Sequence, residues 1–370
     1  MNDDLKWSNY DFSKIPFDDI VSVGQRTLLY RDLFTVSWLL GRFCNYKCSY
    51  CWPYARSDRK DHRPTELCLR TVDEIKRQAR DNGFNSFHFS LSGGEPTFHP
   101  GYLDILKHLA DDVENTNYTS IHMTTNMSRN LKWFETYVEY AKPFHRASIT
   151  ASLHTEHVNS KEKMQDFADK LIFCQEHDVQ VTINQVMVPE WFERDWENAL
   201  FFHEQGINVT LKPQSDPTAS RVVDGYKPED LKRLHNGMPQ RAYTESKRKW
   251  SGRPSPSFDI PKDMMYMPDA SVPWHMQVEF RDSKGEAWYM DQAERFNAFN
   301  FNNFKGWSCN AGYQGIIIRE PDGSVKRSYS CHDAPLGNIE TGFKLFDKAM
   351  PCITGSCVSS ADSKIPKRKI

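Results

Sequence analysis

Six short segments of alternating character, separated by helical patterns, constrain the fold of this 370-residue chain more than any other feature. Phe34 to Leu39, Phe87 to Ser92, Ile121 to Asn126, Ala147 to His154, Val181 to Met187 and Val209 to Gln214 read as strands. Between them, Thr65 to Ala79, Tyr102 to Leu109, Leu131 to Ala141, Lys161 to Glu176 and Arg194 to Glu204 read as helices, several with apolar residues three or four apart. Gly83 and Gly206 are placed to stop two of them. Strand then helix, repeated, predicts an α/β fold of parallel βαβ units, because parallel neighbours need a long crossover connection.

The strands are polar on one face. Thr35 and Ser37 share a face of the first, His88, Ser90 and Ser92 of the second, and His122, Thr124 and Asn126 of the third. Ser148, Thr150, Ser152 and His154 follow on the fourth, Thr182 and Asn184 on the fifth, and Thr210, Lys212 and Gln214 on the sixth. With helices covering the apolar faces, the polar ones line the lumen of a curved sheet or partial (β/α)6 TIM-like barrel over residues 33–214. Such barrels ordinarily fill their lumen with branched apolar side chains, so a polar lumen implies a ligand. The alternative is an antiparallel sheet with its polar face in water.

Residues 1–32 read as an N-terminal extension. Residues 215–273 read as a linker or substrate-site segment rich in Pro, Met and charge, with one helical stretch, Pro228 to Leu234. Residues 274–370 read as a small cysteine-bearing α+β domain of short strands and turns, with a hairpin turn at Arg319 to Ser324 after the apolar run Ile316 to Ile318. Its basic tail, Lys364 to Lys369, reads as solvated and frayed.

A formal net charge of −2, from 47 basic and 49 acidic residues, gives no basis for sequence-independent nucleic-acid binding. No apolar run approaches the roughly 20 residues of a membrane span, and the first residues lack a signal-peptide pattern, so a soluble, cytoplasmic protein is expected. Nine cysteines without an export signal read as reduced thiols or metal ligands.

Cys44, Cys48 and Cys51 fall in the loop after the first strand, where a parallel barrel places its functional groups. Three thiolates there can wrap one four-iron cluster and leave one iron open; a zinc site with His62 as fourth ligand is the alternative. With Tyr50, they match C-x3-C-x-aromatic-C, and here the chain resembles the radical S-adenosylmethionine superfamily. The resemblance implies a [4Fe-4S] cluster on the three cysteines, with S-adenosylmethionine chelated by the open iron and Tyr50 near its adenine. Ser92-Gly93-Gly94-Glu95-Pro96 resembles the family's Gly-Gly-Glu motif, which contacts the methionyl ammonium. Thr124-Thr125-Asn126 is similar to a Thr-Asn element at the third strand's end in some branches. Ser152 and His154 occupy positions that commonly contact the ribose or carboxylate. Asn184 and Lys212 are further candidates, Lys212 equally readable as a structural ion pair.

Cys309, Cys331, Cys352 and Cys357 form a second set of four. With Gly306 to Gly312, Asp322-Gly323 and Leu336 to Ile339, they resemble the auxiliary-cluster domains called SPASM and twitch, although seven residues separate Gly323 from Cys331 where the family has four. The resemblance implies a second, auxiliary [4Fe-4S] cluster that passes electrons or shapes the pocket; a zinc site with four cysteine ligands is the alternative. Cys68 and Cys174 read as core residues, or as hydrogen-atom donors of the kind epimerases of the superfamily use. The implied activity is reductive cleavage of S-adenosylmethionine to a 5′-deoxyadenosyl radical that takes a hydrogen atom from a small-molecule or peptide substrate. The electron would come from an external donor such as flavodoxin or ferredoxin. The rival reading is a noncatalytic metal-binding scaffold or electron carrier, which has no use for a Gly-Gly-Glu turn or a polar lumen.

Overall fold

The computed structural model describes residues 11–25, 33–217, 221–239, 278–290, 296, 299–319, 322–331, 335–357, 359–363 and 365–370. They divide into two compact units, one drawn from 1–37, 73–87 and 257–370 and the other from 38–72 and 88–256.

After β1 (Ile20–Gln25) the chain runs through the six strands of the alternating pattern. These are β2 (Leu33–Leu39), β3 (Ser86–Ser92), β4 (Tyr118–Thr125), β5 (Arg146–Leu153), β6 (Val179–Met187) and β7 (Asn208–Pro213). The helices between them are α1 (Thr65–Asp81), α2 (Tyr102–Asp111), α3 (Leu131–Ala141), α4 (Lys161–Glu176) and α5 (Phe192–Glu204). Strands β2 to β7 neighbour one another in chain order with β7 at the edge, so the sheet is open. Strands β4 to β7 pair in parallel, which removes the antiparallel alternative.

The register turns the polar alternation into rows. Thr124 faces Thr150, which faces Thr182; Ser152 faces Asn184, which faces Thr210. Along β5, Ala147, Ile149, Ala151 and Leu153 are buried while Ser148, Thr150 and Ser152 are half-buried, and β6 repeats the pattern. The helices bury their apolar stripes, for example Phe134, Tyr137, Val138 and Ala141 of α3 and Phe167, Ala168, Leu171 and Cys174 of α4. Asn130 and Ser160 start these two helices as side-chain caps, accepting the amides of Trp133 at 3.1 Å and Lys163 at 3.3 Å. Cys68 in α1 and Cys174 in α4 are both buried core residues, and burial pushes the Cys174 thiol up to about 12. The stretch Pro228 to Leu234 lies in a further helix, α6 (Pro228–Asn236), whose Pro at the first turn costs no hydrogen bond. The segment that follows, 240–277, is outside the described residues.

The other unit is built from short antiparallel strands. Strands β8 (Val278–Asp282), β9 (Ala287–Met290) and β10 (Ser308–Cys309) precede the meander β11 (Gly315–Ile318), β12 (Ser324–Lys326), β13 (Pro335–Asn338) and β14 (Gly342–Phe343). The hairpin turn is closed by Arg319 and Ser324, whose backbones bond at 3.0 Å; residues 320–321 within it are outside the described residues. With β15 (Met350–Pro351) and β16 (Lys367–Arg368), a second sheet runs in the order β15-β10-β16-β1-β8-β9. Its core gathers Ile20, Val23, Phe280, Phe296 and Phe304, with Phe17 and Phe301 packed against them.

Two expectations are corrected here. Ile20–Gln25, read as part of an extension, is a strand of this sheet: an irregularity in its pairing with β8 between Ile20 and Ser22 lets Ile20 and Val23, three apart, enter the same core. The basic tail is not frayed, since β16 pairs with both β1 and β10. Lys367 is 3% exposed, and its Nζ donates to the carbonyls of Asp362 at 2.6 Å and Ile365 at 2.9 Å; Lys364 lies outside the described residues. No helix among the described residues is long and apolar enough to cross a membrane.

Phe280 is fully buried and its ring lies 5.2 Å from that of Phe296. Truncation in Phe280→Ala is expected to destabilise this unit by about 3–5 kcal/mol, read as a lowered denaturant midpoint; an unchanged midpoint would contradict this core.

Candidate active site

The loop that follows β2 carries Cys44, Cys48 and Cys51 on irregular backbone. Its base is fixed by the loop after β3. The amide of Leu40 donates to Ser92 O at 2.9 Å, that of Gly94 to Gly41 O at 2.9 Å, and that of Glu95 to Phe43 O at 2.7 Å. This approach requires glycine. A Cβ at Gly94 would overlap the carbonyl oxygens of Arg42 and Phe43, and one at Gly93, where φ is +147°, would overlap that of Gly41. The Gly-Gly pair therefore joins the end of β3 to the root of the cysteine loop, backbone against backbone.

Glu95 turns inward and is 2% exposed. Its Oε1 accepts from Thr97 N at 3.2 Å, Thr97 Oγ1 at 2.7 Å and Thr125 Oγ1 at 2.7 Å, and its Oε2 accepts from Asn126 N at 2.6 Å. Burial raises its pKa, and these donors oppose the shift. The carboxylate thus fixes the end of β4, where Asn126 carries the connection onward. Asn126 Nδ2 donates to Asn45 Oδ1 at 2.9 Å and lies 3.9 Å from Cys44 Sγ. Thr124 is half-buried one strand position before Thr125.

The end of β5 closes the site from a third side. Tyr50 Oη and His154 Nδ1 are 2.9 Å apart, with the rings stacked. Burial, with the neighbouring His157, pulls the His154 pKa down to about 4, so the ring is neutral through the physiological range. Ser152 and its register partner Asn184 are half-buried on the polar face. Lys212 on β7 is half-buried. Beyond His154, Glu156 accepts from Ser49 N at 2.8 Å and from the Ser49 hydroxyl, and His157 Nε2 accepts from Lys47 N at 3.1 Å.

Burial pushes the Cys44 thiol up to about 11 and the Cys48 thiol up to about 12, the latter helped by Glu156, and raises Cys51. The thiols must therefore lose protons to ligate a metal. Among the described residues, the group whose ligand atoms lie within 4.8 Å of one another is Cys48, Glu156 and His157. His62 is not in it, nor are Cys44 and Cys51; His62 packs between Phe43 and His99, and both of its ring nitrogens are buried without a hydrogen-bond partner among the described residues. Thr97, Glu156 and His157 were not singled out from the sequence, and Thr125 only as part of the Thr-Asn element. The crowding of titratable residues in Ser152-Leu153-His154-Thr155-Glu156-His157 was the signal for Glu156 and His157.

In the other unit, Cys309, Cys331, Cys352 and Cys357 are all buried. The amide of Cys352 donates to Trp307 O at 2.7 Å and that of Cys357 to Asn302 O at 2.8 Å. Cys309 lies opposite Lys367 in the sheet. Its thiol is drawn below the ordinary range, first by the Cys352 thiol that bonds to it and then by the cations of Lys367 and Arg327, while Cys352 is raised. Arg327 is itself 3% exposed, donating to Ala311 O and Pro351 O, each at 3.1 Å.

Residues 38–203 match the model of the Radical SAM superfamily. No curated protein matches the chain. Among solved structures, native anSMEcpe with bound AdoMet and Cp18Cys peptide is similar over 84% of this chain and 78% of that chain, at 15% identity and a TM-score of 0.50. Native anSMEcpe with bound AdoMet is similar over 84% of this chain and 79% of that chain, at 17% identity and a TM-score of 0.49. At these identities the likeness speaks for the fold alone. The match over residues 38–203 identifies this part of the chain as a radical SAM domain, and the likeness to the solved structure agrees with its α/β fold.

Proposed function

We propose that Cys44, Cys48 and Cys51 hold a [4Fe-4S] cluster whose open iron takes S-adenosylmethionine, and that the enzyme abstracts a hydrogen atom from a small-molecule or peptide substrate on the polar face of the sheet. The observation that carries this reading is the bracing of one three-thiol loop by Gly93, Gly94 and Asn126 beside rows of half-buried polar side chains. When bound, the cluster and S-adenosylmethionine supply reductive cleavage and the hydrogen abstraction that follows. The protein's part is binding, orientation and exclusion of water.

The cofactor residues divide by what they have left to offer. Tyr50 and His154 hold each other, so they present a neutral stacked pair to the adenosine, with His154 Nε2 available for a hydrogen bond. Glu95 Oε1 is occupied by three donors; Oε2 has one and retains a lone pair for the methionyl ammonium. Thr124, Ser152 and Asn184 line the polar face as ribose or carboxylate partners, and Asn126 orients the cysteine loop.

For the second cysteine set we infer a SPASM/twitch-like auxiliary [4Fe-4S] cluster in a domain spanning residues 274–370, with the partial-barrel domain spanning 33–214. The buried cations Arg327 and Lys367 suit a site of four thiolates. Among the described residues, no three of these sulfurs lie within 4.8 Å of one another, whereas a tetrahedral zinc needs them about 3.8 Å apart. A cytoplasmic location and an electron donor such as flavodoxin or ferredoxin complete the reading.

Protein reconstituted anaerobically with iron and sulfide is expected to release 5′-deoxyadenosine from S-adenosylmethionine under reductant, and Cys44→Ala to abolish it. Cluster-loaded protein that yields none would contradict the function. Metal analysis should find about eight irons per chain; about four with one zinc would make the C-terminal site structural. Because burial holds Cys44 and Cys48 near 11 and 12, iron uptake at the first site should release protons and rise with pH from 7 to 9. Uptake independent of pH would show that these thiols do not ligate.

A further inference from the structure

Glu156 and His157, in the loop after β5, have no part in the proposed cofactor contacts, yet they bond to the two residues that flank Cys48. Ser49 N–H donates to Glu156 Oε2 at 2.8 Å and the Ser49 hydroxyl donates to Oε1. Lys47 N–H donates to His157 Nε2 at 3.1 Å, and the His157 ring stacks on Tyr46 with centroids 4.1 Å apart and planes 5° from parallel. Cys48 is therefore pinned on both sides by a loop more than a hundred residues away. That loop is itself held. The amides of His157 and Val158 donate to His154 O, each at 2.9 Å, Lys163 Nζ donates to His157 O at 3.0 Å, and Thr155 Oγ1 donates to the buried Asp195 at 2.9 Å.

Two consequences follow for a cluster on this loop. Backbone N–H groups beside a ligating cysteine commonly donate to cluster or thiolate sulfur, which makes the cluster easier to reduce. Here the amides of Lys47 and Ser49 are directed to His157 and Glu156. The Glu156 carboxylate also lies within 4.8 Å of Cys48 Sγ, and a negative charge there opposes the arrival of an electron. Both effects lower the reduction potential, the direction that suits a strongly reducing cluster.

We propose that Glu156 and His157 are positioning residues of the cysteine loop: they fix Cys48 from both flanks, withdraw two amide donors from the cluster's sulfurs, and so hold the first cluster at low potential. This rests on the reading of Cys44, Cys48 and Cys51 as the cluster site. The test uses anaerobically reconstituted full-length protein and follows the reduced-cluster electron paramagnetic resonance signal that S-adenosylmethionine perturbs, in a potentiometric titration, together with the rate of iron loss to a chelator.

Glu156→Gln keeps the shape and an acceptor but removes the charge, so its potential should rise by at least a tenfold shift in the reduction equilibrium, about 59 mV for one electron. His157→Ala should lose iron to the chelator at least fivefold faster, and His157→Gln, whose side-chain carbonyl can accept from Lys47 N–H, should recover most of the loss. Wild-type potential in Glu156→Gln together with wild-type iron-loss rates in His157→Ala would overturn the proposal. Wild-type protein with no Cys44-dependent iron would instead overturn the underlying assignment, and the proposal with it.

Discussion

Backbone packed on backbone at Gly93 and Gly94 is the contact on which the site depends. The amides of Gly94 and Glu95 reach the carbonyls of Gly41 and Phe43, at a separation that leaves no room for a Cβ on either glycine. From that contact the rest follows in both directions. Glu95 is drawn under the strand ends, where it binds Thr125 and Asn126, and Asn126 in turn reaches Asn45 and Cys44. The cysteine loop, which has no regular secondary structure of its own, thus takes its shape from the ends of β3, β4 and β5.

Electrostatics divides the two cysteine sets. In the loop after β2, burial keeps Cys44 and Cys48 protonated at neutral pH, and the nearby carboxylate of Glu156 adds to that cost at Cys48. Binding a metal there is coupled to proton release. In the C-terminal sheet, Cys309 bonds to Cys352 and lies near Lys367 and Arg327, which draw its thiol below the ordinary range. Burial and a nearby carboxylate thus set the first group of thiols, and buried cations the second.

The parallel sheet was legible because each strand buries one face completely. Phe34, Val36 and Trp38, or Val181 and Ile183, alternate with polar residues so regularly that strand bounds read from sequence fall within a few residues of those observed. The motif residues were legible because their local requirements are chemical: three thiols on one loop and two glycines at a close approach. What sequence alone did not reveal depends on distant partners. The irregularity in β1 breaks the period of two that marks a strand. Lys367 looks solvated by composition, yet the carbonyls of Asp362 and Ile365 satisfy it in the interior. Glu156 and His157 matter through amides more than a hundred residues earlier in the chain, a relation that no local pattern encodes.

In the proposed site, the iron left open by Cys44, Cys48 and Cys51 would chelate S-adenosylmethionine through its amino and carboxylate groups. Electron–nuclear double resonance on the reduced protein, with S-adenosylmethionine labelled with nitrogen-15 at the methionyl amine, tests it most directly. The account predicts a hyperfine coupling from the label that disappears in Cys44→Ala; a reduced, cluster-loaded wild-type protein showing no coupling would contradict it.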